Sequence, residues 1–137
     1  MSQTHYAMGF YFDESAEYVA LICKNRPAAI AGKLTGLGGH REEGEDYAQC
    51  VAREFLEEAG VATRPEDWTH FATVSTEHMY MPCYFIRSND VRNVQTQEDE
   101  RVAVHAVKRL CEQDLAPFTM ELIELARTHD GAVTELS

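Results

Sequence analysis

Residues 38–61 read GGHREEGEDYAQCVAREFLEEAGV, and this stretch decides the fold. Asp46 followed three residues later by Gln49 is a variant of the capping box, which predicts that a helix begins here. Gly60 stands where a left-handed C-terminal cap is expected. One apolar face recurs at helical spacing: Ala48, Val51, Ala52, Phe55 and Ala59. The stretch therefore predicts a glycine-rich loop that leads into an amphipathic helix.

The polar side of this helix is acidic. Glu54, Glu57 and Glu58 stand at i, i+3 and i+4, so their carboxylates share one face. Like charges at this spacing cost about 0.2–0.5 kcal/mol per pair, and Arg53 relieves only part of the repulsion. Hard divalent cations bind such oxygen-rich sites, and magnesium keeps several waters that phosphate oxygens can replace. An acidic triplet by itself is typical of a solvated helix face, so the metal-site interpretation depends on the rest of the segment.

The whole segment resembles the Nudix box. From Gly39 to Val61 it reads G-x5-E-x7-R-E-F-x-E-E-x-G-V, which is similar to the family pattern G-x5-E-x7-R-E-U-x-E-E-x-G-U, where U is a bulky aliphatic residue. Phe55 is the departure, and its place on the apolar face makes it a matter of packing rather than chemistry. The resemblance implies an α/β fold, a Nudix-like α/β/α sandwich with a mixed β-sheet and a catalytic loop–helix unit. It also implies a magnesium-dependent hydrolase that cleaves a phosphoanhydride bond.

The resemblance assigns roles to individual residues. Arg53 would orient a helix carboxylate by a charge-assisted hydrogen bond. Glu45 would help to hold the geometry between loop and helix. The ligands of Mg²⁺, or of Mn²⁺ in its place, would be three carboxylates and one carbonyl oxygen: Glu54, Glu57, Glu58 and Gly38.

Family members also draw an acid from a loop outside the box, and here the stretch Gln97–Glu100 is the expected source. Glu98 and Glu100 compete for that role. Glu54 is the candidate general base, with the Glu98–Glu100 loop as the alternative source because the base varies within the family.

The charge balance limits the choice of partner. The chain carries 23 acidic and 12 basic residues, a formal net charge of -11 at pH 7. Such a surface repels nucleic-acid backbones and anionic membranes, so the nucleotide substrate that the resemblance implies is expected to be a small molecule. Because a polyphosphate is anionic too, metal must screen the two before they meet. Any single basic residue beside the box loop is typical of surface charge. The candidates for phosphate contacts are nevertheless the four basic residues that flank this loop: Lys24, Arg26, Lys33 and Arg41.

The choice of substrate lies outside the box. The approach GKLTGLGG at residues 32–39 is similar to MutT-like enzymes, which implies a (deoxy)nucleoside triphosphate that yields a nucleoside monophosphate and pyrophosphate. The alternatives are ADP-ribose, a dinucleoside polyphosphate or a nucleotide sugar, and, outside the enzymes, a nucleotide-sensing domain on the same scaffold. His40 lies in the box loop, and this location suggests that it contacts substrate. Aromatic residues at strand spacing are typical of a core, but five are also candidates for a base pocket: Tyr6, Phe10, Tyr80, Tyr84 and Phe118.

Apolar runs bounded by turn residues predict further elements. The predicted strands are Tyr6–Phe12, Tyr18–Cys23, Thr69–Ser75, Met79–Arg87 and Val102–Val107, with a short apolar run at Leu34–Leu37. The third and fourth strands form a hairpin. A polar loop is predicted at Ser88–Glu100, and a closing helix at Pro117–His129. At 137 residues the chain is expected to be a single domain over residues 1–137.

The sequence also bears on location and redox state. It shows no secretory signal and no apolar run of about 18 residues, so a cytoplasmic protein, monomer or homodimer, is expected. The cysteines are dispersed without a C-x-x-C pair, and we expect reduced core residues at Cys23, Cys50, Cys83 and Cys111.

Overall fold

The computed structural model describes residues 2–137. Its strands are β1 (Thr4–Phe12), β2 (Tyr18–Cys23), β3 (Leu34–Thr35), β4 (Leu37–His40), β5 (Thr69–Ser75), β6 (Met79–Arg87), β7 (Val102–Ala106) and β8 (Thr134–Leu136). Helix α1 spans Tyr47–Ala59 and helix α2 spans Thr119–Arg127. Short 3-10 helices lie in the connections, at Ala28–Ile30, Pro65–Asp67, Asn89–Asn93 and Val107–Glu112.

The strands form one mixed sheet in the order β3-β2-β1-β6-β5-β8, with β4 added to β1 and β7 added to β2. The pairs β1–β6 and β5–β8 are parallel, whereas the other pairs are antiparallel. The hairpin of β5 and β6 is confirmed, with Ser75 opposite Tyr80. Because β4 occupies only one half of β1, its glycines come to lie in the middle of the molecule, beside α1.

Alternate side chains of β1 enter two different cores, as the period of two in a strand requires. Phe10 and Phe12 pack on one face, in a cluster that includes Ile123 of α2. Tyr11 packs on the other face, in a cluster that includes Phe55 of α1. Helices therefore cover both faces of a mixed sheet, which confirms the expected fold.

Phe55, the residue that departs from the box pattern, is fully buried. Its ring centroid lies 5.2 Å from that of Tyr11 and 5.7 Å from that of Trp68. Space for Trp68 comes from Gly9, where a Cβ atom would lie 2.8 Å from Cζ3 of the indole. The aromatic residue is thus matched by an aromatic partner and a glycine, and the departure concerns packing as expected.

The predicted ends of α1 are confirmed. Asp46 accepts a hydrogen bond from the backbone N–H of Gln49 at 2.8 Å, and Gln49 Oε1 accepts one from the N–H of Asp46 at 2.8 Å. Gly60 has φ of 75° and closes the helix. Ala48, expected on the buried face, is only half-buried.

Other boundaries differ from the prediction. Helix α2 begins two residues late, at Thr119, because Phe118 adopts a left-handed backbone with φ of 70° that cannot continue a helix. The strand β8 was not predicted, and the polar stretch Ser88–Glu100 contains a 3-10 helix. Strand β7 ends at Ala106, where the next 3-10 helix starts.

The cysteines within residues 2–137 are all free thiols. Cys50 and Cys83 are buried as expected and Cys23 is half-buried, but Cys111 is exposed. The core prediction is therefore wrong for Cys111, which lies on the outer side of a 3-10 helix. No helix in the described range is long and apolar enough to cross a membrane.

Candidate active site

The box glycines bring α1 close to the backbone of β4. Gly38 and Gly39 lie opposite Met8 and Ala7 of β1. A Cβ atom at Gly38 would overlap the carbonyl oxygen of Ala7, and one at Gly39 would lie 2.7 Å from the carboxyl carbon of Glu54. Only glycine permits this approach, so the pair presses the Glu54 carboxylate against the strand.

Glu58 is the most deeply buried carboxylate of the box, at 6% exposure. Its Oε1 accepts a hydrogen bond of 3.1 Å from the backbone N–H of Gly38. Burial, together with the negative charge of Glu54, raises the pKa of Glu58 to about 8, and the positive charge of Lys24 only partly opposes that rise. One amide donor does not compensate the charge of a buried carboxylate, so the ionised form of Glu58 would be stabilised by a bound cation.

Glu54 shares this environment. Burial raises the pKa of Glu54 above its usual value, and hydrogen bonding to Arg53 opposes the rise. The negative charges of Glu57 and Glu98 raise it further. Two neighbouring carboxylates with raised pKa values are the type of site where catalytic acids, bases and metal ligands occur.

Arg53 lies among the carboxylates and uses nearly all its donors. Its Nε and Nη2 atoms donate to the two oxygens of Glu45 at 3.0 and 2.8 Å. Its Nη1 atom donates to Glu54 at 2.9 Å and to Glu57 at 3.2 Å, and Nη2 also reaches the carbonyl oxygen of His40 at 3.1 Å. The hydrogen bonds from Arg53 lower the pKa of Glu45 to about 2. This geometry fits the expected roles of Arg53 and Glu45, which orient the loop and the helix carboxylates.

The donor set fits a hard divalent cation. Within residues 2–137, no group of three or more His, Cys, Asp or Glu side chains is already arranged to hold a metal ion, and Arg53 donates hydrogen bonds to Glu54 and Glu57. The expected ligands are all oxygens, and two of the three carboxylates, Glu54 and Glu58, are shielded from water. A single arginine leaves this group with negative charge, which Mg²⁺ or a similar ion would balance.

The comparisons with known proteins agree with this geometry. The family model described as NUDIX domain matches residues 4–128. The chain belongs to the Nudix family. This match confirms the expectation of a Nudix-type hydrolase, and such hydrolases generally use a divalent metal.

Three solved Nudix structures share the fold. A MutT hydrolase from Burkholderia pseudomallei has a TM-score of 0.76 and 22% identity, covering 91% of this chain and 98% of that chain. The Nudix domain of Shewanella oneidensis NrtR, solved with ADP ribose, has a TM-score of 0.79 and 21% identity, covering 93% and 88%. An ADP-ribose pyrophosphatase from Streptococcus suis has a TM-score of 0.68 and 15% identity, covering 98% and 99%. At these identities the likeness shows the fold alone.

The two loop acids of this Nudix domain have different surroundings. Glu98 follows Gln97, whose backbone N–H donates to the carbonyl oxygen of Glu58 at 3.2 Å, and within the described chain Glu98 itself has no hydrogen bond or ion pair. Glu100 is 8% exposed and accepts hydrogen bonds from Lys24 Nζ at 3.0 Å and from the N–H of Asn25 at 2.6 Å. Burial acts to raise the pKa of Glu100, but these two donors outweigh it and hold the pKa below its usual value.

The four basic candidates are separated by the fold. Lys24 lies beside the box, since its charge acts on Glu58. Arg26 pairs with Asp99 at 3.1 Å, and Lys33 pairs with Asp114 at 2.9 Å. Arg41 donates to the carbonyl oxygen of Glu45 at 2.8 Å and lies over the ring of Tyr47 at 5.3 Å. The structure therefore brings Lys24 and Arg41 to the box and pairs the other two elsewhere.

The five aromatic candidates do not form one pocket. Phe10 is fully buried in the core, and Tyr84 stacks on His70 with centroids 5.1 Å apart. The ring centroids of Tyr80 and His5 lie 5.5 Å apart, beside Tyr47 of α1. Tyr6 lies 4.5 Å from His40, next to the box glycines. Phe118 precedes α2 and packs against the core cluster that contains Phe10.

Sequence reasoning missed Cys50. Its Sγ atom lies 3.5 Å from the carbonyl oxygen of His40 and 3.7 Å from that of Gly39. Burial raises the pKa of this thiol to about 12, so it stays protonated and donates. No motif marks the position, because the box pattern leaves it unspecified.

Proposed function

We propose that the chain is a magnesium-dependent pyrophosphohydrolase that converts a (deoxy)nucleoside triphosphate and water into a nucleoside monophosphate and pyrophosphate. The observation that carries this proposal is the uncompensated pair of Glu54 and Glu58, buried beside the backbone of Gly38 and Gly39. Structural carboxylates are normally paired, whereas in this pair only Glu54 contacts an arginine, Arg53 at 2.9 Å, and Glu58 has the N–H of Gly38 as its donor.

The residues of the box divide the work among them. Glu54, Glu57, Glu58 and the carbonyl of Gly38 would hold Mg²⁺, which when bound would screen the phosphates and stabilise charge on the leaving group. Arg53 fixes the carboxylates through its hydrogen bonds.

Glu54 is our candidate to take the proton from the attacking water. Its raised pKa, caused by burial, makes this carboxylate a stronger base than an ordinary glutamate. Glu98 is the alternative base, because its carboxylate lies beside the same site with no partner of its own within residues 2–137.

The surroundings of the box support a nucleotide. Arg41 flanks it and carries the charge that phosphate oxygens seek, whereas Lys24, which also lies beside the box, is paired with Glu100 at 3.0 Å. The ring pair of Tyr6 and His40 adjoins Gly39 and offers a surface on which a base can stack. The net charge of -11 supports a small substrate over a nucleic-acid polymer. We further propose a cytoplasmic monomer or homodimer.

ADP-ribose is the second candidate substrate. The NrtR domain that shares this fold was solved with ADP ribose, and a further neighbour is an ADP-ribose pyrophosphatase. The non-enzymatic alternative is a nucleotide sensor on the same scaffold. The presence of every box carboxylate, together with Arg53, supports the enzyme.

Anion-exchange analysis of products tests the proposal. The panel holds canonical and oxidised (deoxy)nucleoside triphosphates, ADP-ribose, a dinucleoside polyphosphate and a nucleotide sugar, each with Mg²⁺ at mildly alkaline pH. Glu57→Gln and metal-free reactions are the controls. We expect a monophosphate and pyrophosphate that require both metal and Glu57. Preferred cleavage of ADP-ribose would select the second candidate, and binding of nucleotide without turnover would select the sensor.

A further inference from the structure

The loop of residues 94–101, here called the Glu98 loop, lies against the C-terminal end of α1. The backbone N–H of Gln95 donates to the carbonyl oxygen of Ala59 at 2.9 Å, and that of Gln97 donates to Glu58 at 3.2 Å. The last carbonyl groups of a helix have no hydrogen-bond donor within it, and here the amides of the loop donate to two of them. A Cβ atom at Gly60 would lie 2.6 Å from Nε2 of Gln97, which shows how closely that side chain packs on the helix cap.

A second anchor holds the other end of the Glu98 loop. Lys24 Nζ pairs with Glu100 Oε1 at 3.0 Å, and their side chains are only 22% and 9% exposed. The other oxygen of Glu100 accepts the backbone N–H of Asn25 at 2.6 Å. The neighbouring pair of Arg26 and Asp99 is 69% and 60% exposed and contributes less, because water screens it.

We propose that Lys24, Glu100 and Gln97 are positioning residues that clamp the Glu98 loop at both ends and hold the Glu98 carboxylate toward Glu54 and Glu58. Glu98 lies between the two anchors, directly after the residue that bonds α1. The negative charge of Glu98 acts on both box carboxylates, which supports its placement beside them.

The clamp assigns different tasks to the two loop acids. Glu100 is committed to Lys24 and Asn25, so it shapes the loop, whereas Glu98 is the acid that would act at the metal site. The inference deepens the proposed function, since it decides which acid joins the box. The inference does not depend on which nucleotide derivative the enzyme cleaves.

The experiment compares Glu100→Gln, Lys24→Met and the double variant with Glu98→Gln. If the ion pair positions the loop, each single variant lowers kcat by roughly 10- to 100-fold with KM nearly unchanged, because misplacement of a catalytic group has that cost. The double variant is then no worse than either single one, since both remove the same interaction. Lys24→Arg retains most of the activity.

Calorimetric titration with Mn²⁺ supplies a readout that does not depend on turnover. Glu98→Gln weakens Mn²⁺ binding about tenfold or more, whereas Glu100→Gln changes it much less. Hydrogen exchange at the amides of Gln95 and Gln97 becomes faster in Glu100→Gln and Gln97→Ala. Both measurements hold even if the wild type cleaves none of the nucleotides, so failure of the clamp is distinguishable from failure of the proposed function.

The opposite result would overturn the clamp. If Glu100→Gln abolishes Mn²⁺ binding while Lys24→Met does not, Glu100 itself holds the metal. Glu112→Gln is the matched control, because it removes an exposed pair with Arg109 at 3.2 Å, far from the box in sequence. It should change none of the readouts.

Discussion

The two ends of the box segment hold their carboxylates in opposite ways. Glu45, just before α1, receives two hydrogen bonds from Arg53, which lower its pKa to about 2. Glu58, in the last turn, is buried beside Glu54 with one amide donor, and its pKa rises to about 8. The first carboxylate is stable as an anion, whereas the second is not. Glu45 therefore helps to hold the structure of the site, whereas Glu58 is suited to bind a cation.

Glu58→Gln breaks this comparison with the largest effect. The amide keeps the hydrogen bond from Gly38 but loses the metal ligand, so we expect kcat/KM to fall on the order of 1,000-fold. A raised pKa destabilises the fold above the unfolded value, because at pH 7 Glu58 must take up a proton when the metal-free chain folds; the variant removes this cost and should gain about 3 kcal/mol in free energy of unfolding. Steady-state kinetics and urea unfolding in a chelator measure the two effects. A variant that is inactive and less stable than wild type would contradict the reading of Glu58 as an uncompensated charge.

Glu45→Gln tests the opposite end and should give the opposite sign for stability. Loss of the two charge-assisted bonds from Arg53 should lower the free energy of unfolding by about 1–3 kcal/mol. Arg53 is then free to bind Glu54 and Glu57 more tightly, so the Mg²⁺ concentration for half-maximal rate should rise about tenfold. Urea unfolding and a Mg²⁺ titration check this. Unchanged stability would mean that the Arg53–Glu45 bonds contribute nothing to the fold.

Local spacing made the box helix predictable. Asp46, Gln49 and Gly60 mark its ends within a few residues of one another, and the carboxylate face follows from the helical repeat. The same reasoning placed the hairpin of β5 and β6, whose strands are separated by one short turn. These features depend on neighbours in the sequence, so the sequence alone could indicate them.

Contacts between distant segments could not be predicted in this way. Lys24 and Glu100 are 76 residues apart. From the sequence alone Lys24 is either surface charge or a phosphate contact, and Glu100 is either a catalytic acid or part of a polar loop. The short strand β8 carries no apolar alternation that would mark it. Phe118 adopts a left-handed backbone that its residue type disfavours, so the start of α2 moved.

Asp13 provides a buried carboxylate away from the box, and it sharpens the comparison through pH. Burial acts to raise the pKa of Asp13, but hydrogen bonds from Ser15 at 2.7 Å and from the N–H groups of Tyr18 and Glu17, each at 3.0 Å, hold the pKa below 3.8. A lowered pKa stabilises the fold above the unfolded value and loses that effect as pH falls through the folded value.

Asp13→Asn should therefore cost about 1–2 kcal/mol at pH 7 and much less near pH 3. Urea midpoints across this range measure the difference between variant and wild type. Activity at neutral pH should survive in the folded fraction, since Asp13 lies outside the site. A loss of equal size at both pH values would show that shape, not charge, explains the role of this residue.

The smallest expected effect compares two buried thiols, Cys50 and Cys83. Burial raises the pKa of each to about 12, but Cys50 faces the carbonyls of Gly39 and His40 whereas Cys83 faces that of Met81. Replacement of either by alanine should cost about 1 kcal/mol of stability through the cavity left behind.

Only Cys50→Ala should also raise the Mg²⁺ concentration for half-maximal rate, by roughly two- to threefold, because a weak S–H bond holds the loop beside Gly38. Cys83→Ala is the matched control for the cavity, and melting curves confirm that both variants are folded. An equal shift in both would mean that general loosening of the core, rather than the thiol, sets the metal affinity. A shift confined to Cys50→Ala would show that the thiol of Cys50, at a position that the box pattern does not specify, helps to hold the box loop in its metal-binding geometry.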